Sequence, residues 1–375
     1  MIEVITDRDI LESKAQTLVN TVNCVGVMGK GIALRFKKNS PDMYKDYLSR
    51  CQRGLVKLGQ PYLYHRPEKP WIINFPTKDH WRSMASIEAI IKGMQYLLQH
   101  YKEWGITSIA VPPLGCGEGQ LEWRVVGPTL YRHLNLMDIP VQLYAPYGTP
   151  SVETQSSFLS QPVDSVIAEA REGPFKIKPD WIAILEVLHR IENETYHWPV
   201  GRVTFQKIVY FATETGFDTD LTYKQGSYGP YAHNLKTKIN QLINNGLIEE
   251  DRWGNMFHVA TGRTFPDAQK AYLKSIQYRE EEISKIVNLF LRMTTNQSEI
   301  AATIHFATKL LHNETNETPT EKQVLSFVMK WKAKRRPPLD ITEVAKAIRN
   351  LAALGWLKVK PSADLPLPDE VLCEV

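Results

Sequence analysis

Two kinds of fold are predicted along this 375-residue chain: an α/β domain with a mainly parallel, helix-covered sheet over residues 1–150, then a mostly α-helical, winged-helix-like domain over 179–375. Three observations predict it. Short apolar runs alternate with longer helical patterns as far as Pro150. A Ser-, Gln-, Pro- and Glu-rich stretch follows, read as a linker over 151–178, with GTPSVETQSSFLSQP across its start. Beyond it strand-like runs become scarce and helical periodicity dominates.

In chain order, Thr17–Asn23 is the first strand, an apolar run closing in asparagine. Trp71–Phe75 is the second, ended by Pro76. Ser108–Pro112 and Pro140–Ala145 follow. Between them, apolar positions at helical spacing predict helices over Gly31–Lys38, Met43–Arg53, Ala85–Glu103 and Arg124–Leu134. In the second half the same periodicity marks Trp181–Ile191, Phe205–Thr215, Asn234–Asn245, Ile276–Leu291, Glu299–Leu311, Glu321–Lys332 and Ile341–Leu354. LKTKINQLINNGLIEE and VAKAIRNLAALGWLKV both stop at a glycine, Gly246 or Gly355, that suits a left-handed cap, and each continues as a short apolar run. Helix, glycine and strand is how a winged-helix unit ends.

Composition narrows the function classes. Hydrophobic residues at 43% can build real cores, and a net charge of +4 is too small to argue for nucleic acid by itself. The four cysteines form no C-x-x-C pair and no metal-like spacing with histidine, so reduced thiols are expected and no metal site or cofactor is. The start MIEV lacks the layout of a signal peptide, and no apolar run approaches membrane-spanning length. A cytoplasmic, soluble protein is expected.

Two loops carry chemistry. NTVNCVGVMGKGIALRF places Gly26, Gly29 and Gly31 between an apolar strand and a helix, with Asn20 and Asn23 at the strand's carboxyl end. The spacing is neither G-x-x-x-x-G-K-[ST] nor G-x-G-x-x-G. Glycines there permit tight turns with bare N–H groups, and the helix that follows offers its positive end. PPLGCGEGQLEW repeats the arrangement after another strand, with Gly115, Gly117 and Gly119 alternating. Two anion cradles after two strands of one sheet predict a diphosphate held between them, at the carboxyl ends where such sheets bind ligands.

DRDILESKAQTLVNTVNCVGVMGKGIALRF together with VPPLGCGEG resembles a macrodomain, the three-layer α/β/α module that binds ADP-ribose, over about residues 1–148. MGKGIALRFK and NFPTKDHWR resemble the branch that includes the terminal ADP-ribose glycohydrolase and the DarG antitoxins. The resemblance implies that Asp9, beside Ile10, accepts from the adenine amino group, although Arg8 stands where many members have glycine. Asn23, with Asn20 behind it, contacts the distal ribose. Met28, Gly29, Lys30, Gly31 and Ile32 wrap that ribose and one phosphate. Leu114, Gly115, Cys116, Gly117, Glu118 and Gly119 cradle the diphosphate. Thr77 borders the same crevice, and Tyr147 stacks.

Lys78, in WIINFPTKDHW, is the catalytic amine of the resembling branch. A desolvated lysine can attack an anomeric carbon or its open-chain aldehyde, and His80 and Arg82 would help to lower its pKa. The glycohydrolase carries an acid two residues after its G-C-G, where this chain has Gly119. Glu118 and His80 are the candidates for that partner.

FQKIVYF and YGPY resemble the carboxy-terminal domain of DarG proteins, which implies binding of DarT, a DNA ADP-ribosyltransferase toxin. Charges nearly cancel over this half. KWKAKRRPP could touch phosphates and the acids at Glu249–Asp251 and Glu280–Glu282 a basic toxin groove; solvated faces are the plainer reading of each. The expectation is therefore an antitoxin that removes ADP-ribose from bases of single-stranded DNA, releases it as product and captures the toxin. The rivals are an ADP-ribose reader and a nucleotide-sensing winged-helix regulator.

Overall fold

The computed structural model describes residues 2–67, 70–160, 177–227, 229–253 and 256–366. Most of the expected linker, and Tyr228 of YGPY, lie outside them. The chain divides into two compact units: Met1–Leu185 with Thr237–Glu249 and Thr261–Arg279, and Glu186–Lys236 with Glu250–Ala260 and Glu280–Val375.

In the first unit the strands are β1 (Ile2–Ile5), β2 (Thr17–Asn23), β3 (Tyr62–Tyr64), β4 (Trp71–Lys78), β5 (Ile109–Val111) and β6 (Val141–Tyr144). The helices between them are α1 (Gly31–Asn39), α2 (Pro41–Gln52), α3 (Ile87–His100) and α4 (Trp123–Leu134). The sheet order is β1-β6-β5-β2-β4-β3, with β3 the antiparallel edge and the other pairs parallel. Strand side chains alternate between faces, and the two cores follow that alternation. Val19, Ile73 and Phe75 pack with Ile90, Met94 and Leu97 of α3 and Val126 and Leu130 of α4. Leu18, Val22 and Ile72 pack with Phe36 of α1 and Met43 and Tyr47 of α2. Helix, sheet and helix form three layers.

Two strands were not expected, β1 and β3, whose residues are mostly half-buried or exposed, unlike the buried apolar runs of the equally short β5 and β6. The expected end at Pro76 is corrected: β4 continues through it, pairing Pro76 with Val22 and, after a register shift, Lys78 with Asn23. Proline is tolerated because β3 pairs only with Ile72–Asn74, so beyond that point β4 is an edge with no N–H demanded of it.

Elsewhere the chain is largely helical. Leu235–Asn244 ends at Gly246, φ +70, and a two-stranded sheet of Ile248–Trp253 and Met256–Thr261 follows. Gly355 has the same φ, yet among the described residues only an isolated bridge, Thr320 to Lys360, comes after it. The second helix–glycine–strand expectation is thus corrected. The expected helix Ile276–Leu291 is two, Leu273–Tyr278 and Glu280–Phe290, parted at Arg279, whose guanidinium reaches Asp180 at 2.9 Å. No described helix is long and apolar enough to cross a membrane.

Candidate active site

The residues singled out in the first unit leave the carboxyl ends of five adjacent parallel strands, and the sheet arranges them in a row. Asp9 follows β1, Tyr147 follows β6, the loop with Gly115 follows β5, the loop with Gly26 follows β2, and Lys78 ends β4. The expected adenine contacts therefore lie at one end, the two cradles in the middle, and the amine at the other end.

The first loop is shaped by Asn23. Its Oδ1 accepts from the N–H groups of Val25 at 3.0 Å and Val27 at 3.2 Å, while Nδ2 donates to the Val27 carbonyl at 2.6 Å. Tyr47, buried in α2, donates to the Asn23 carbonyl at 2.9 Å. Gly26 turns at φ +84, a left-handed conformation that strains any residue with a Cβ, and a Cβ there would also meet the tip of the Leu48 side chain at 2.7 Å. Gly29 and Lys30 are exposed, Ile32 is half-buried and Met28 is core. Met28 thus has only backbone to offer a ligand. The same holds for Ile10, Leu114 and Cys116, all buried.

The second loop is drawn tight by bonds from Cys116 N–H to Pro113, Gln120 N–H to Gly117 and Leu121 N–H to Gly115, at 3.0–3.1 Å. A Cβ on Gly119 would stand 2.5 Å from the Gly115 carbonyl oxygen and 2.8 Å from Ala85. The loop has closed over the place where the resembling glycohydrolase carries its acid. Glu118 is exposed, its Cγ lying 3.9 Å from where a Cβ on Gly31 would stand, so the two loops meet there.

Lys78 joins these loops. Its Nζ donates to the Glu118 carbonyl at 3.2 Å and the Trp81 carbonyl at 3.3 Å. Cys24 N–H donates to the Asp79 carbonyl at 3.0 Å, so the segment after β4 is tied to the first loop. Burial lowers the Lys78 pKa below that of an ordinary lysine, with the Glu118 carboxylate acting the other way. Help from neighbouring cations was expected and is corrected: His80 Nδ1 accepts from Arg82 N–H at 3.2 Å and the Arg82 guanidinium lies 4.6 Å from the Trp81 ring, while desolvation does the lowering.

Asp9 caps a short helical turn by accepting from Leu11 N–H at 3.1 Å and is paired with Arg35 of α1. Burial would raise its pKa, but these hydrogen bonds outweigh burial and hold the carboxylate below its ordinary value. Asn20 is fully buried and donates to Asn74 at 2.9 Å; among the described residues its side-chain Oδ1 has no hydrogen-bond partner. Thr77 is buried, and Tyr147 is 90% exposed beside Gly148, whose N–H donates to Asp7 at 3.0 Å. Sequence reasoning missed Arg35, Tyr47 and Ala85. Arg35 stands four residues beyond Gly31, one helical turn past the loop, which is a usable signal; the other two had none.

The charged runs of the helical half are largely occupied. Lys332 is buried against Glu299 at 2.9 Å and also donates to the Ser227 carbonyl at 3.0 Å. Arg335 reaches Asn296 at 2.7 Å, and Arg336 donates to the carbonyls of Ala333 and Arg335. Glu250 pairs with Arg202, Glu280 with Arg190 at 2.6 Å and Glu249 with Arg263 at 3.8 Å. Lys330, Lys334 and Arg336 of the basic run are exposed.

Residues 19–130 match the Macro domain family. A DNA ADP-ribosyl glycohydrolase of Thermus aquaticus is 35% identical over 240 residues, covering 62% of this chain and 62% of the relative. One of Mycobacterium tuberculosis is 36% identical over 241 residues, 61% and 63%. A DNA ADP-ribosyl transferase–DNA ADP-ribosyl glycohydrolase fusion protein of Thermosipho africanus is 39% identical over 175 residues, 41% and 45%. The chain spans about three-fifths of the length of the two glycohydrolases. An alignment of 240 residues is longer than the α/β domain, so the likeness reaches into the helical part. The amino-terminal part of this chain is a macrodomain, similar in sequence to those of the DNA ADP-ribosyl glycohydrolases.

Proposed function

We propose that the chain is a DNA ADP-ribosyl glycohydrolase and the antitoxin of a DarT/DarG-type pair. The macrodomain of residues 1–150 holds an ADP-ribosyl group on a base of single-stranded DNA and cleaves the N-glycosidic bond. The observation that carries this reading is Lys78: a half-buried amine with a lowered pKa, at the carboxyl end of the last parallel strand and hydrogen-bonded to the second glycine loop.

The chemistry follows from the amine. Unprotonated Lys78 Nζ bonds to the anomeric carbon of the distal ribose as the carbon–base bond breaks, its electron pair leaving with the base. The proton shed by the attacking nitrogen balances the one the base takes up. The nitrogen lone pair then expels the ring oxygen, giving an open-chain imine. Water adds to the same carbon, the amine departs, and ADP-ribose and free Lys78 result. Asn23 and the two loops hold the sugar and diphosphate, while Asp9 faces the adenine. The Glu118 carboxylate acts on the Lys78 pKa.

The region 179–375, beyond a linker at 151–178, is proposed to bind and block a DarT-type DNA ADP-ribosyltransferase. Support comes from the likeness to the Thermosipho fusion protein, in which transferase and glycohydrolase share one chain. The test uses a single-stranded oligonucleotide ADP-ribosylated on one thymine or one guanine. Intact protein is expected to release ADP-ribose, and Lys78→Ala to bind ADP-ribose without releasing it. Binding with no turnover by the intact chain would leave an ADP-ribose reader. Failure to form a complex with a DarT-type protein would remove the antitoxin assignment.

A further inference from the structure

The segment that follows Lys78 has no part in holding ADP-ribose, yet the order of strands puts it where the rest of the substrate must go. Asp9 stands at the β1 side of the crevice and Lys78 at β4, the last parallel strand. The base is bonded to the carbon that Lys78 attacks, so base and flanking strand leave the crevice at that end. There the chain presents His80, Trp81 and Arg82.

Trp81 is 45% exposed, as Trp198 of the helical half is at 54%, whereas Trp123, Trp181 and Trp356 are each no more than 9% exposed. Its carbonyl accepts the Lys78 hydrogen bond at 3.3 Å, which fixes the residue beside the amine while leaving its indole outside the core. The Arg82 guanidinium lies 4.6 Å from the indole centroid and the His80 ring 5.4 Å. The hydrogen bond from Arg82 N–H to His80 Nδ1 folds the three residues into one turn. Val25 and Val27, 46% and 38% exposed, sit on the first loop, which the Cys24–Asp79 bond ties to this segment. An exposed indole with a cation against its ring and aliphatic neighbours is the chemistry that takes up unstacked bases and the phosphates between them.

We propose that Trp81 and Arg82 form the DNA subsite of this enzyme: the indole stacks on a base next to the modified one, and the guanidinium meets a flanking phosphate. This rests on the glycohydrolase reading above. It predicts a preference for a modified strand over the same modified nucleoside alone, set by side chains that touch no part of ADP-ribose.

The experiment compares kcat/KM for a ten-nucleotide single strand ADP-ribosylated on one base with that for the ADP-ribosylated nucleoside excised from it. For Trp81→Ala the oligonucleotide-to-nucleoside ratio is expected to fall about 5- to 100-fold; Trp81→Phe should recover most of it. Arg82→Ala should make the salt dependence on the oligonucleotide shallower by about 0.7 in log–log slope. A ratio unchanged in Trp81→Ala, or equal losses on both substrates, would overturn the subsite, the second by showing that Trp81 serves only to position Lys78. Absence of ADP-ribose release from either substrate by the intact chain would instead defeat the glycohydrolase reading, and the subsite with it.

Discussion

Lys78 and Lys207 are both lysines whose pKa is lowered mainly by burial, and they stand in opposite kinds of place. Lys207 belongs to FQKIVYF in the helical half. It is only 4% exposed, its pKa is brought down to about 8, and its Nζ donates to the Pro230 carbonyl at 3.4 Å. Glu299 raises that pKa and the buried Lys332 lowers it further, so two cations share one carboxylate inside packed helices. Lys78 is half-buried at a strand end and donates to the Glu118 carbonyl of the second glycine loop. A lowered pKa alone does not mark a reactive lysine. What separates the two is exposure: Lys207 is closed in against Pro230, and Lys78 is only half-buried.

The largest test of that contrast removes each region's cation. Lys78→Ala should slow ADP-ribose release about a thousandfold or more while leaving the denaturation midpoint near wild type. Lys332→Met should do the reverse, destabilising the chain by about 1–3 kcal/mol because Glu299 loses its 2.9 Å partner while Lys207 and Arg335 remain beside it, with release unaffected at temperatures where the chain is folded. If Lys332→Met abolished release at full stability, the division of roles would fail.

The pH dependence of stability sharpens it next. Lys207 is depressed in the folded state, so below about pH 8 both folded and unfolded forms hold the proton and stability is flat. Between about 8 and the ordinary lysine value of 10.5 only the unfolded chain holds it, and stability rises by up to roughly 3 kcal/mol. Denaturant titrations across that window should show the rise in wild type and its loss in Lys207→Met.

A smaller effect is expected at the loop that lacks an acid. Gly119→Asp should cost about 1–3 kcal/mol and weaken ADP-ribose binding, since its Cβ meets the Gly115 carbonyl and Ala85. Enhanced release in that variant would show that the loop opens to accept a carboxylate. The smallest is Glu118→Gln. Its carboxylate raises the Lys78 pKa, so its loss should move the alkaline-rising limb of the release profile to lower pH. A loss of a hundredfold at every pH would instead make Glu118 the general acid.

How far this was legible before the fold was known depended on burial and on spacing. Thr17–Asn23 is a strand with the bounds the alternation implied, and the helices of the first domain differ by a few residues from their periodic patterns. Both glycine loops, and Lys78 after an apolar run, could be read because turns and strand ends demand particular residue types locally. The mostly half-buried or exposed β1 and β3 could not, nor could the continuation of β4 past Pro76, since a proline's tolerance depends on whether a neighbouring strand asks for its N–H.

Residue order alone, then, settled four of the six strands of the large sheet, where backbone must turn, and which amine would stand beyond an apolar strand. These are local properties, written in side-chain period and glycine placement. The row Asp9, Tyr147, the two loops and Lys78 exists only because the sheet orders its strands β1-β6-β5-β2-β4. The closure of the Gly119 loop against Ala85, the grip of Arg35 on Asp9, and the use of Lys332 and Arg335 inside the helical half were settled by packing. Each joins residues far apart in the chain, and what a charge or a glycine does there depends on the partner that the fold brings to it.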